Sequence, residues 1–279
     1  PGWEELANKI DNYLIRWRFQ RNSEHKDTLA FAGYEKSTYL INMDFPRFGT
    51  GEGKAALNQT VRGYDIYILC DVFNYGVTYK MYGITVPMSP DEHFANLKRA
   101  ISAIEGKAKR VSVIMPMLYE GRQHKRSSRE SLDCAMMLQE LHNMGVENFI
   151  TFDAHDPRVM NAIPLCGFES ISPAYQMIKA AVNNVDNLKI NKDNIMIISP
   201  DEGGMSRCIY YSTVLGVELG MFYKRRDFSR IVDGRNPIIA HEFLGDNVEG
   251  KDVIIVDDMI SSGESMIEVA TKLKELKAA

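Results

Sequence analysis

The sequence predicts an α/β protein built as two similar domains, each a mostly parallel sheet flanked by helices. Three observations carry this reading. Short apolar runs recur at residues 65–70 (DIYILC), 110–115, 148–152, 194–198, 218–222 and 253–256, and such runs read as strands buried in a sheet. Amphipathic stretches alternate with them, at residues 90–105, 131–144, 173–182, 205–215 and 266–276; that alternation is the βαβ rhythm of a parallel sheet. Polar clusters follow the strands directly. Right-handed crossovers gather the carboxyl ends of the strands on one edge, where open parallel sheets bind their ligands. Each half repeats strand, polar loop and helix with little identity between halves, which places the division near residue 165: a first domain of residues 1–165 and a second of residues 166–279.

In chain order, Trp3, Leu6, Ile10, Tyr13, Leu14 and Trp17 outline an amphipathic helix, followed by a polar patch at residues 21–27; this part carries no chemical signal. Residues 46–63 (PRFGTGEGKAALNQTVRG) form a loop whose glycines permit turns at positive φ, and from composition alone it is an ordinary hairpin. Along the helix at residues 90–105, His93, Leu97, Ala100, Ile101 and Ile104 fall near one face. After the strand at 110–115, residues 119–130 (YEGRQHKRSSRE) crowd Arg122, Lys125, Arg126 and Arg129 together. Such a run is either a solvated basic face or a cradle for a polyphosphate. After the next strand, Asp153, His155 and Asp156 lie within four positions, a metal or phosphate candidate. Ser199–Gly204 is either a Gly-rich turn with Asp201 capping a helix or a binding loop, and residues 223–236 (YKRRDFSRIVDGRN) are either an exposed loop or a mobile basic arm.

The densest signal is residues 251–274 (KDVIIVDDMISSGESMIEVATKLK). An apolar strand buried on both faces ends in Asp257 and Asp258. Ser261, Ser262, Gly263 and Ser265 then lead into a helix. Small hydroxyl residues and glycine at a helix start present N–H groups and hydroxyls to an anion, and the helix dipole adds to the attraction. A phosphate fits there, with the two carboxylates beside it suited to a polyhydroxy partner or to hydrated Mg²⁺.

A net charge of −4 gives no bulk electrostatic basis for nucleic-acid binding. No apolar run is long enough to span a bilayer, so no membrane partner is expected. Cys70, Cys134, Cys166 and Cys208 are scattered without metal-ligand or redox spacing, which points to free thiols in a reducing cytoplasm.

These motifs together resemble the ribose-phosphate pyrophosphokinase (phosphoribosyl diphosphate synthase) family, from about Arg47 to the C-terminus. The resemblance implies two stacked domains of the phosphoribosyltransferase type. Arg47-Phe48 with Gly51-Glu52 is similar to the family's adenine loop, which reaches across a subunit boundary; Thr50 stands where Asp is usual. Arg122-Gln123 is similar to an Arg-Gln pair that touches ATP, with His124 in place of Asp. Asp153 and His155 match an Asp-x-His element whose His ligates the Mg²⁺ bridging ATP phosphates. Ser199–Gly204 matches Ser-Pro-Asp-x-Gly-Gly, which binds metal and diphosphate, and Lys224-Arg225-Arg226 matches a basic triplet on a catalytic loop. The stretch from Asp257 to Ser265 is similar to the ribose 5-phosphate signature, with Ser261 replacing Asp and Glu264 added.

The resemblance implies diphosphoryl transfer from MgATP to the C1 hydroxyl of ribose 5-phosphate, giving phosphoribosyl diphosphate and AMP. It places ATP on Phe48, Glu52, Arg122, Gln123 and His155, the metal (Mg²⁺, or Mn²⁺) on His155 and Asp201, and ribose 5-phosphate on Asp257, Asp258, Ser261, Ser262, Gly263 and Ser265. Lys224 and Arg226 are the catalytic cations. It also implies a homo-oligomer based on dimers, up to a hexamer. Two alternatives stay open: a phosphoribosyltransferase that consumes phosphoribosyl diphosphate, and a non-catalytic paralogue that regulates an active synthase. Family members continue well beyond the helix at 266–276, so the second domain is expected to be truncated at Ala279, with its substrate strand at or near an edge.

Overall fold

In the computed structural model, residues 2–23, 36–186, 188, 190–226 and 238–279 are described, those at 22–23, 224–226 and 238–241 by their backbone only. Part of the polar patch at 21–27 and most of the basic stretch at 223–236 lie outside these residues. The chain divides into two compact units, Pro1–Ser172 and Pro173–Ala279.

The first unit opens with helix α1 (Glu4–Ser23). Two short strands, β1 (Met43–Asp44) and β2 (Ala56–Leu57), pair antiparallel and frame the Gly-rich loop. The central sheet has strands β3 (Asp65–Leu69), β6 (Arg110–Ile114), β7 (Asn148–Phe152) and β8 (Gly167–Ile171), in the order β3-β6-β7-β8 and all parallel. A hairpin of β4 (Thr78–Met81) and β5 (Ile84–Pro87) precedes helix α2 (Pro90–Ile104). Ser89 and Glu92 close a reciprocal capping box at the start of α2, satisfying two N–H groups that would otherwise be orphaned. Its buried stripe of His93, Phe94, Asn96, Leu97, Ala100, Ile101 and Ile104 follows the 3.6-residue period read from the sequence. Helix α3 (Asp133–Asn143) adds buried Cys134, Met137, Leu138 and Leu141 to the same core as Val113, Met115 and Phe149.

The second unit has helix α4 (Ala174–Asn184), strand β9 (Ile195–Ser199), helix α5 (Met205–Leu215), strands β10 (Glu218–Arg226), β11 (Ile238–Leu244) and β12 (Asp252–Ile255), and helix α6 (Glu264–Glu275). Its sheet order is β11-β10-β9-β12, with β9 parallel to both β10 and β12 and β11 antiparallel to β10. Every residue of β9 is buried, because it is central and covered on both faces.

Several sequence expectations need correction. The strand at 253–256 is less deeply buried than expected: it packs Ile254 and Val256 on one core cluster and Val253 and Ile255 on another, but β12 is the outer strand of the described sheet, and Val253, Ile254 and Ile255 are only half-buried. Residues Tyr223–Arg226 continue strand β10 rather than beginning a loop, since they pair with β11 through Ile238–Glu242. Among the described residues the second unit therefore has four strands where three were read. Residues 167–171 pair with β7 in the first unit's sheet. No helix among the described residues is long and apolar enough to cross a membrane.

Candidate active site

In the first unit, the polar groups gather after β6 and β7. Both loops open on a strained residue: Glu120 takes φ +55° and Asp153 φ +45°, a left-handed conformation costing a non-glycine residue about 1 kcal/mol. Asp153 is held there because its N–H donates to Ile171 O at 3.0 Å and the next N–H, of Ala154, donates to Ser170 Oγ at 2.9 Å. The twist sends His155 outward, exposed, with its ring edge-on to His124 at 5.2 Å between centroids. His124 comes from the loop after β6. Its Nδ1 lies 3.2 Å from Arg122 O and its Nε2 3.5 Å from Asp156 Oδ2. Asp156 also accepts a forked pair of bonds from Arg158, which holds its carboxyl well below the usual carboxylate range. The structure thus brings His155, His124 and Asp156 together, with Asp156 engaged by Arg158.

The two expected ATP ligands of this loop behave differently. Arg122 is exposed. The Gln123 amide turns inward and donates to Ser131 O at 2.7 Å, with Lys125 O and the Glu130 carboxylate nearby, so it closes the loop on itself. Residues Phe48 and Glu52 sit on a tight hairpin in which Phe48 N–H donates to Glu52 O at 2.8 Å. Phe48 is 56% exposed, leaving an aromatic side chain open of the kind on which a base stacks.

In the second unit, the neighbouring strands β9 and β12 deliver two loops side by side. The Ser199 hydroxyl donates to Asp201 O at 2.7 Å, and Asp201 Oδ1 accepts from the N–H groups of Gly203 and Gly204 at 2.9 and 3.3 Å. A side chain at Gly204 would place its Cβ 2.8 Å from Ser199 Oγ, so the turn requires glycine there. One turn into α5, the buried Cys208 thiol donates to Ile198 O and Val256 O at 3.7 and 3.5 Å, joining the two strand ends beneath the loops.

Asp257 and Asp258 follow β12. Partial burial raises the Asp257 carboxyl to about 6, helped by the hydrogen-bonded Asp258 and by the charges of Asp258 and Asp201. The Asp258 side chain is 7% exposed and faces Arg207 at 3.7 Å. Arg207 is a neighbour of the acidic pair that the sequence reading missed. Its signal was a cation in the first turn of a helix, where the dipole disfavours it unless a carboxylate waits nearby.

Ser261, Ser262 and Ser265 are exposed. Gly263, at φ +82°, is the residue before α6, and no side chain caps that helix. The Glu264 N–H has only a long bond to Ser262 Oγ, at 3.4 Å. The first-turn N–H groups of α6 are thus presented as an anion-binding terminus would present them. Lys224 and Arg226 are placed by backbone alone, near the end of β10 opposite His241 and Ile238.

Among the described residues no group of three or more His, Cys, Asp or Glu side chains is arranged to hold a metal ion. His155 and Asp201 supply imidazole and carboxylate donors without thiols, and Asp201 already has one oxygen on its own loop. Taken within its own unit, each offers a single donor, the scale of protein ligation that suits a Mg²⁺ keeping most of its waters.

Two units built on mostly parallel sheets with polar loops at their strand ends, one a strand–acidic pair–small-residue loop–helix, define a phosphoribosyl transferase type of protein. Residues 168–279 match the phosphoribosyl transferase domain, and residues 2–145 match the N-terminal domain of ribose phosphate pyrophosphokinase. The chain belongs to the ribose phosphate pyrophosphokinase family. It is similar to the ribose-phosphate pyrophosphokinase of Ralstonia nicotianae, 29% identical over 234 residues, covering 82% of this chain and 65% of that protein. The Oceanobacillus iheyensis protein of the same name is 26% identical over 240 residues, covering 85% and 67%. A crystal structure of phosphoribosylpyrophosphate synthetase from Mycobacterium smegmatis has the same fold: TM-score 0.71, 20% identity, covering 88% of this chain and 72% of that one. The chain spans about two thirds of the length of the curated relatives it matches.

Proposed function

We propose that the protein is a ribose-phosphate diphosphokinase. It transfers the β,γ-diphosphoryl group of MgATP to ribose 5-phosphate, producing phosphoribosyl diphosphate and AMP. The observation that carries this is the pairing, in one chain, of a pyrophosphokinase-type N-terminal domain with a phosphoribosyl transferase domain whose Asp257–Asp258 pair and open α6 terminus suit a sugar phosphate.

The assignments follow from the chemistry of each group. Ribose 5-phosphate rests its phosphate on the N–H groups and hydroxyls of Ser261, Ser262, Gly263 and Ser265. Its ring hydroxyls donate to Asp257 and Asp258. ATP stacks its base on Phe48, hydrogen-bonds Glu52, and lays its phosphates toward Arg122, Gln123 and His155. Gln123 contributes once its amide turns from Ser131 O. His155 on the first unit and Asp201 on the second would each offer a ligand to Mg²⁺ carried on substrate phosphates, and the ion would supply neutralisation of phosphate charge.

The C1 hydroxyl oxygen attacks the β-phosphorus. The bond from that phosphorus to the oxygen shared with the α-phosphate breaks, AMP leaves with that oxygen, and the hydroxyl proton passes to solvent. Lys224 and Arg226 offset the charge that builds during transfer. No protein nucleophile is needed; positioning and electrostatics suffice. The open Phe48 loop suits a homo-oligomer in which it serves a neighbour's nucleotide.

The test is AMP release from ATP with and without ribose 5-phosphate. Release strictly dependent on ribose 5-phosphate supports the assignment. Its absence, with phosphoribosyl diphosphate consumed on addition of a nucleobase, favours a transferase instead.

A further inference from the structure

Arg47 precedes Phe48 and does the opposite of what a loop arginine usually does: its side chain is 10% exposed, whereas Phe48 beside it is 56% exposed. A guanidinium is withdrawn from water only where several acceptors receive it. Here they come from three elements. Nη1 donates to Gly51 O at 2.9 Å, on the far limb of the same loop. Nη2 donates to Asn96 Oδ1 at 3.3 Å, and Nη1 lies 3.9 Å from the Glu92 carboxylate, both on α2. The guanidinium also sits 4.5 Å over the Tyr79 ring of β4. Asn96 is itself buried and fixed by Arg99 Nη1 at 2.8 Å.

The loop is closed around this side chain. Gly51 N–H donates to Phe48 O, Lys54 N–H to Pro46 O, and Arg47 bridges Gly53 in antiparallel fashion. From outside, Tyr82 N–H donates to Gly49 O at 2.9 Å. At the tip, Thr50 Oγ1 donates to Glu52 Oε2 at 2.9 Å and so aims that carboxylate. In an extended stretch, adjacent side chains point to opposite faces. Anchoring Arg47 inward therefore forces Phe48 outward.

We infer that Arg47 is a positioning residue for nucleotide binding: it fixes the loop that presents Phe48 and Glu52 and does not itself touch the nucleotide. The inference rests on the reading that this loop receives the base of ATP. Lysine cannot replace it fully, because a point ammonium lacks the fork that reaches Gly51 O and Asn96 Oδ1 together.

The experiment compares the parent chain with Arg47→Met, Arg47→Lys, Phe48→Ala and the Arg47→Met/Phe48→Ala double variant. MgATP affinity is measured by calorimetry, and amide hydrogen exchange is followed without ligand. Arg47→Met is expected to weaken MgATP binding by about tenfold, Arg47→Lys by less, and the double variant to bind within about twofold of Phe48→Ala, because residues acting as one unit are not additive. Exchange at the Phe48 and Gly51 amides accelerates about tenfold in Arg47→Met while amides of β3 and β6 keep their protection, which separates loop release from unfolding. Additive losses, or unchanged exchange at Phe48 and Gly51, would overturn the inference. If Phe48→Ala leaves MgATP affinity unchanged, the nucleotide assignment of the loop fails, and with it the role of Arg47 in binding; the exchange data then still decide whether Arg47 holds the loop.

Discussion

Replacing Asp257 with Asn tests the electrostatics of the sugar-phosphate half in a way that ordinary loss of function cannot. Asp257 is raised from 3.8 to about 6, first by burial and then by Asp258 and Asp201. Because folding raises this carboxyl, the folded protein keeps its proton between about pH 4 and 6 while the unfolded chain releases it. The protonated carboxyl's favourable contribution is fully present below pH 4 and is lost as pH rises through 6. At full weight the difference corresponds to about 3 kcal/mol. Asp257 is only half-buried, and solvent screening reduces that to on the order of 1 kcal/mol. Asparagine keeps the shape and carries no charge. Asp257→Asn should therefore be more stable than the parent at pH 7.5 by on the order of 1 kcal/mol, with the two nearly equal at pH 4. It should also lose measurable affinity for ribose 5-phosphate. Urea denaturation of both proteins at pH 4, 5.5 and 7.5, followed by far-ultraviolet circular dichroism, reads the difference directly. A constant offset at all three pH values, or a variant less stable at pH 7.5, would refute the reasoning.

Three further outcomes are expected. Lys224→Ala should lower turnover by about a hundredfold or more, roughly 3 kcal/mol, with KM for both substrates changed far less; raised KM with unchanged kcat would contradict its role. Excess chelator should weaken ATP binding if the proposed reading is right, since Mg²⁺ on the nucleotide's phosphates takes only one or two protein ligands, and calorimetry showing unchanged affinity would sink the metal assignment. Gly204→Ala puts a methyl group 2.8 Å from Ser199 Oγ and should cost about 1–3 kcal/mol of stability by overpacking; a thermal melt superimposable on the parent would show that the loop yields.

How much was legible in the sequence differs between the two kinds of strand. Mostly apolar runs, such as those read at 194–198 and 110–115, declared themselves, because central parallel strands leave little room for polar residues. Strand β8 reads Gly-Phe-Glu-Ser-Ile and β11 carries His241 and Glu242. They are edge strands with an open side, so their polar content disguised them. Strand β12 is outermost yet apolar, because its alternate residues pack on two core clusters, so its composition reads like that of a central strand.

At the candidate site, the acidic pair, the serine loop and His155 were readable because each follows a strand end. The links between elements were not. Arg47 reaching α2, Arg207 facing Asp258 and Cys208 joining β9 to β12 depend on which elements the topology makes neighbours. His124 was noted only as a departure, and its setting against Asp156 and His155 emerged when two loops met.

The central claim is diphosphoryl transfer, and it is tested most directly by following the label from ATP carrying ³²P at its γ-phosphate. With ribose 5-phosphate and Mg²⁺ present, the account predicts that label appears in phosphoribosyl diphosphate in step with AMP, one for one. Label released as orthophosphate with ADP, or label left in ATP whether or not ribose 5-phosphate is added, would contradict it.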